Sequence, residues 1–189
     1  MTTFWASNKV EPKRAYRWVG YMNLFAPGRT SHFSPTPFLI KTFTKPTFTL
    51  DNETIINNFT SETEIVIKNY VWDDISITMY DVENAELNTS NAIYKWLVSL
   101  GYNAAPNTQN LSKLFTNLYD NNLELTLHHI DHNGTPIEEW SFINPQPTSI
   151  NFGGELDYGS DEIMTITMGI TYVAAEYKNK QRNETEESA

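Results

Sequence analysis

Apolar positions in this chain recur mostly at every second residue, the spacing of a strand that buries one face. The alternation is cleanest from Asp74 to Tyr80, where Ile75, Ile77 and Met79 oppose Asp74, Ser76, Thr78 and Tyr80. It returns from Glu162 to Val173, with Met164, Ile166, Met168, Ile170 and Tyr172 against Ile163, Thr165, Thr167, Gly169 and Thr171. Leu123, Leu125 and Leu127 oppose Glu124, Thr126 and His128, and the run enters Asp131-His132-Asn133-Gly134. Asn-Gly between two such runs predicts a hairpin, with residues 136–144 as the return strand.

Three further stretches read as strands by their aromatic and β-branched content. Residues 15–25 end at the turn-forming Ala26-Pro27-Gly28. Residues 38–50 include Pro46, which lacks a ladder donor and predicts a bulge or an edge. Residues 64–72 follow a polar connection over 51–62, so that 38–72 reads as a long hairpin with a wide tip. After Pro145 and Pro147, residues 149–158 form another β-like run, in which Gly153 and Gly154 suggest a bulge.

Helical spacing is strongest over 90–100. Ile93, Tyr94, Trp96, Leu97 and Leu100 form a stripe, Thr89 or Ser90 supplies a cap, and Gly101 supplies a stop. Residues 109–119, with Leu111, Leu114, Phe115 and Leu118 in register, fit a second helix or a mixed loop. Residues 1–14 read as an extended arm, 15–177 as one β domain, and 178–189 as a charged, solvated tail. Phe4 and Trp5 on the arm need cover, either on their own domain or on a neighbour.

A chain of 189 residues and 21.7 kDa fits one domain and buries roughly 70% of its unfolded surface. Against 23 Asp plus Glu stand 13 Lys plus Arg, a net charge of −10 that has the wrong sign for gripping phosphate. With no cysteine, the chain has no disulfides, no Cys-ligated zinc and no thiol nucleophile. Its first residues carry no apolar run of the signal-peptide kind, and no stretch approaches the ~18 apolar residues of a membrane span, which predicts assembly in a cytoplasm and no membrane partner.

Candidate chemistry is sparse. His128, His129, Asp131 and His132 invite a metal reading, but neighbouring strand residues point to opposite faces, and His128 to His132 spans roughly 13 Å, too far to share an ion. Phosphate-loop, dinucleotide, nucleophile-elbow and zincin motifs are absent from the sequence. Acidic residues such as Asp73, Asp74, Glu138, Glu139, Asp157 and Glu162 flank strands as solvated ends do, rather than as a hydrolase pair. The sequence therefore predicts no catalytic residue, no cofactor and no metal.

Residues 38–48, 70–81, the helix ending at Gly101, and 125–177 together resemble the major tail tube proteins of contractile-tailed, T-even-like bacteriophages. The resemblance is densest in the hairpin Asp131, Gly134, Pro136, Ile137, Glu138 and Trp140, then Asn-Pro, Leu-Asp-Tyr, Ser-Asp-Glu at 160–162, and the long strand closing at Tyr172. It implies a mainly β fold, a β-sandwich or partial barrel with one flanking α-helix, whose sheets join between subunits into a ring. It further implies hexameric rings stacked as the inner tube of a virion tail, with the sheath, baseplate hub and tube terminator as partners and DNA passing through without tight binding. A tube initiator or hub adaptor, or a ring protein of type VI secretion, shares that fold. A carbohydrate-binding β-sandwich is the rival from a different class.

On this reading Ser76, Thr78, Thr165, Thr167 and Thr171 are candidates for the lumen-facing side, since their strands turn apolar faces inward and these faces hold no Lys or Arg. The same threonines equally fit an outer sheet surface, where their β propensity alone would favour them. Phe4, Trp5, Asn52, Glu53, Asn57, Asn58 and Phe59 are candidates for contact with the adjacent ring, because a polar tip of that length suits a binding role.

Overall fold

Alternating apolar positions from both halves of the chain build two antiparallel sheets that face each other across a shared core. The computed structural model describes residues 12–28, 30–35, 37–56, 63–83, 88–102, 122–154 and 156–180. In chain order the strands are β1 (Trp18–Ala26), β2 (Thr30–Phe33), β3 (Ile40–Phe43), β4 (Phe48–Ile56), β5 (Thr63–Trp72) and β6 (Ile75–Tyr80). Helix α1 (Thr89–Leu100) follows, then β7 (Leu123–Ile130), β8 (Pro136–Ile143), β9 (Gln146–Asn151), β10 (Thr165–Thr171) and β11 (Ala174–Asn179). One sheet has the order β11-β8-β7-β1-β2, the second β3-β6-β10-β9, and among the described residues β4 and β5 pair only with each other. The expected mainly β sandwich with a flanking helix is the architecture observed.

The period-two reading holds in the core. Ile75, Ile77 and Met79 of β6 and Ile166, Met168 and Ile170 of β10 are buried, and they meet Met22, Leu24, Leu125 and Phe142 of the other sheet. Helix α1 packs against β1 and β2 and adds Ile93, Trp96 and Leu100 to that core. Trp96 also donates its indole N–H to the Phe25 carbonyl at 3.0 Å, which ties the helix to the end of β1.

Several boundaries differ from the sequence reading for physical reasons. Asn88, not Thr89 or Ser90, caps α1: its backbone is extended and its side chain accepts the Asn91 N–H at 2.7 Å. Thr89 is instead buried and donates to the Tyr80 carbonyl, while Ser90 donates to Asp81 from both its backbone and its hydroxyl. Gly101 ends the helix at φ 108°, as its position suggested. Tyr94 lies 47% exposed, off the buried stripe. Residues 109–119 lie outside the described residues.

Pro46 marks neither a bulge nor an edge inside one strand. The chain leaves the four-stranded sheet after Phe43 and enters a separate hairpin at Phe48, so Pro46 sits where no ladder needs its missing donor. The polar run from Asp51 is not yet a connection, because β4 continues to Ile56. Near the C-terminus, β9 ends at Asn151, so Gly153 and Gly154 follow the strand rather than bulging it; the irregularity lies earlier in β9, where Gly169 pairs with Ser149 and Ile170 with Pro147, leaving Thr148 as the extra residue. A Cβ on Gly169 would come within 2.5 Å of the Ser149 hydroxyl, which explains the glycine there. Strand β10 spans only Thr165–Thr171, leaving Ile163 and Met164 exposed, and Lys178 and Asn179 belong to β11 rather than to a solvated tail.

Candidate channel wall and assembly surfaces

Pairing of β6 with β10 gathers the candidate hydroxyl residues onto one face. Thr165 pairs with Tyr80, Thr167 with Thr78 and Gly169 with Ser76, all with their backs to the buried Ile and Met side chains. The sheet extends this face on both sides. Thr42 of β3 pairs with Thr78, Thr44 donates to the Ser76 carbonyl at 3.1 Å, and Ser149 and Asn151 of β9 pair with Gly169 and Thr167. Thr171 pairs with Gln146 at the end of the same strand. The expected residues are therefore neighbours on one hydroxyl-rich polar surface.

Sequence reasoning missed one cation near this surface. An irregular register between Ile40 and Thr42 leaves Lys41 as the extra residue of β3, and its ammonium lies 5.7 Å from the Tyr80 ring centroid. A bulge in the pairing of β3 with β6 leaves no mark in hydrophobic periodicity.

The second surface is the β4–β5 hairpin. Its ladder runs from Phe48↔Trp72 to Ile56↔Thr63 with a shift between Asp51 and Asn52, which leaves Lys68 as the extra residue of β5. That single residue decides which side chains share a face. Leu50 opposes Tyr70, and beyond the bulge Asn52 opposes Ile67 and Thr54 opposes Ile65. Phe48, Leu50, Ile65, Ile67 and Tyr70 thus lie on one side, each 44–70% exposed. The opposite side carries Thr49, Asp51 and Glu53 across from Val71, Asn69 and Val66, with Lys68 Nζ 3.4 Å from Glu53. Asn52 and Glu53 therefore fall in a strand, on opposite faces of it. Asn57, Asn58 and Phe59, with Phe4 and Trp5, lie outside the described residues.

A buried ionic cluster fixes the root of these elements. On β7 and β8 the core-facing line ends in His129 opposite Glu138, whose side chain is 4% exposed. Lys13, preceding β1, and Lys45, in the connection from β3 to β4, both donate to the Glu138 carboxylate. Burial pushes the Glu138 carboxyl up, but the two lysine hydrogen bonds outweigh it and hold it below its usual value. Burial lowers His129, reinforced by Lys45, Lys13 and Arg17 and opposed by Glu138 3.9 Å away. On the other face His128 meets Glu139 at 3.2 Å, and Lys180 hydrogen-bonds Glu139 and draws its carboxyl down. The histidines thus serve two separate ion-pair groups on opposite faces of β7.

No protein-family model matches the chain, and no curated protein sequence matches it. Solved structures do match. A chain in the sheath/tube terminator of an extracellular contractile injection system, PVC, in its extended state superposes with TM-score 0.59 at 12% identity, covering 90% of this chain and 99% of that one. A chain of the PVC sheath-tube complex gives 0.57 at 12% identity over 89% and 92%. The chain has a tail-tube-like fold. A chain of the 6-fold symmetrised baseplate of the anti-feeding prophage, at TM-score 0.58 and 11% identity over 90% and 97%, shares that tail-tube-like architecture. The match extends over nearly the whole of each neighbour, so the fold includes the helix and both sheets rather than one shared motif.

Proposed function

We propose that this protein is a structural tube subunit that closes into hexameric rings, stacked as the inner tube of a contractile virion tail. The observation that carries this reading is one sheet, β3-β6-β10-β9, with a hydroxyl-rich face and two edges that pair with nothing among the described residues. Open edges on β3 and β9 favour continuation of the sheet into neighbouring copies, and a closed ring removes them. The hydroxyl-rich face, with Lys41 beside it, then lines a channel in which phosphates find few partners, so DNA passes without being held. Support comes from the neighbours, one in a sheath-tube complex and one in a six-fold baseplate. The sheath, baseplate hub and tube terminator are the partners this role requires, assembly takes place in the host cytoplasm, and the role involves no catalysis.

A second reading, a single terminating ring, is favoured by the likeness to a chain of the sheath/tube terminator. Electron microscopy of the purified full-length chain separates them. Open-ended filaments of stacked rings support the tube subunit, isolated rings support the terminator, and compact monomers under all assembly conditions overturn both.

A further inference from the structure

The hairpin β4–β5 and the loop joining β9 to β10 stand at opposite ends of one sheet. Both hairpin legs enter at the Ile75 end: Thr44 N–H donates to the Ser76 carbonyl at 3.0 Å, and Asp73 N–H to the Thr47 carbonyl at 2.9 Å. The loop leaves at Asn151 and returns at Thr165 beside Tyr80, where Asp81 N–H donates to the Met164 carbonyl at 3.0 Å. Between these ends lies the length of β10, about 20 Å at the usual strand rise.

Each end exposes apolar side chains that its own copy does not cover. At the loop end Leu156 is 80% exposed, Ile163 69%, and Tyr158 fully, around an open cavity of about 560 Å³ whose lining also includes Met164 and the polar Asp157, Ser160 and Glu162. At the hairpin end, the bulge has placed Leu50, Ile65, Ile67 and Tyr70 on one face, whereas the other mixes Val66 and Val71 with Asp51, Glu53 and Lys68. Its apolar face can be buried without taking a charge out of water. Complementary surfaces at opposite ends make a heterologous contact that repeats without closing. The exposed stripe Tyr94 and Val98 on α1 offers a rival seat, but it lies on the helix at the flank, against β1 and β2, rather than at an end of the four-stranded sheet.

We propose that the β9–β10 loop is the seat for the β4–β5 hairpin of a second copy, with Ile65, Ile67 and Tyr70 of one copy covering Leu156, Tyr158 and Ile163 of the copy stacked on it. This assignment rests on the stacked-tube reading and adds the identity of the two surfaces that meet.

The natural chain has no cysteine, so pairs of single-cysteine variants report the contact directly. Full-length Ile67→Cys and Leu156→Cys proteins are mixed, assembled and oxidised, alongside Ile67→Cys with Val98→Cys. Disulfide-linked dimers from the first pair and not the second are expected. In a separate arm, Leu156→Asp with Ile163→Asp should leave the circular dichroism spectrum and ring formation intact while pelletable polymer falls about tenfold or more. Tubes that form without the Ile67–Leu156 link, that link through Val98, or that survive the double aspartate variant overturn the seat and leave the tube reading standing. An unaltered chain that never polymerises overturns both.

Discussion

The hydroxyls of Thr78 and Thr167 face each other at 3.3 Å across β6 and β10, in the middle of a sheet face with no carboxylate from either strand. If that face lines a channel, a cation placed there acts on passing phosphate. Thr165→Lys with Thr167→Lys should permit tube assembly yet slow genome release, and added salt should restore the rate because it reduces the gain from counterion release at each contact. Unchanged release from intact tubes, timed by dye uptake into ejected DNA, would place the face on the outside.

Lys68 marks where an insertion tests the hairpin. A threonine inserted between Asp51 and Asn52 gives Lys68 a partner, restores a regular register and turns Ile65 and Ile67 away from the face of Leu50 and Tyr70. The hairpin pairs with no other strand among the described residues, so the stability of the isolated subunit should change by no more than about 0.5 kcal/mol. Tube formation should be lost. Equal yields of tubes from the insertion variant, counted by negative-stain microscopy, would show that the apolar face is not used.

Glu138 joins three segments far apart in sequence through Lys13, Lys45 and His129. In Glu138→Gln both lysines lose a charged partner, but each is about half exposed and regains water. That places the loss below the range for breaking a fully buried pair, at about 1–2 kcal/mol in urea unfolding. A variant as stable as the natural protein would mean that the cluster only positions the chain.

The same cluster sets a direction for pH dependence. His129 is held below its ordinary 6.5, so the unfolded chain takes up a proton first, and stability is lost as pH falls below about 6.5 toward the folded value. Glu138 is held below 4.5, so its contribution is intact above that value and disappears as pH falls through the lower, folded value. Melting temperature should therefore decline in two stages on acidification. His129→Gln should remove the upper stage and spare the lower. A melting temperature that is flat from neutral pH down to about 4.5 would contradict the His129 assignment.

The sequence made the strands of the core legible because each buries one face and the alternation records it, as in Ile75, Ile77 and Met79 or Ile166, Met168 and Ile170. The helix was legible as well, from Ile93, Trp96, Leu100 and Gly101. Its cap was not, since Asn88, Thr89 and Ser90 all have capping side chains and only tertiary contacts to Tyr80 and Asp81 separate them. The gathering of Ser76, Thr78, Thr165 and Thr167 followed from two separate alternations, whereas the approach of Lys41 depended on a register shift between strands. Glu138 and Glu139 looked like solvated strand ends. Their burial arises from cations at positions 13, 45, 178 and 180, distances along the chain that no local pattern encodes.

The placement of hairpin and loop at opposite ends of β10 gives any assembly of this chain a polarity. One terminus of the polymer would display bare hairpins and the other bare loops, so the two tips would differ in chemistry although every subunit is identical. Growth, capping and anchoring could then be assigned to different tips by proteins that recognise only one of those surfaces. A soluble fragment offering the loop alone would stop one end and leave the other free to extend.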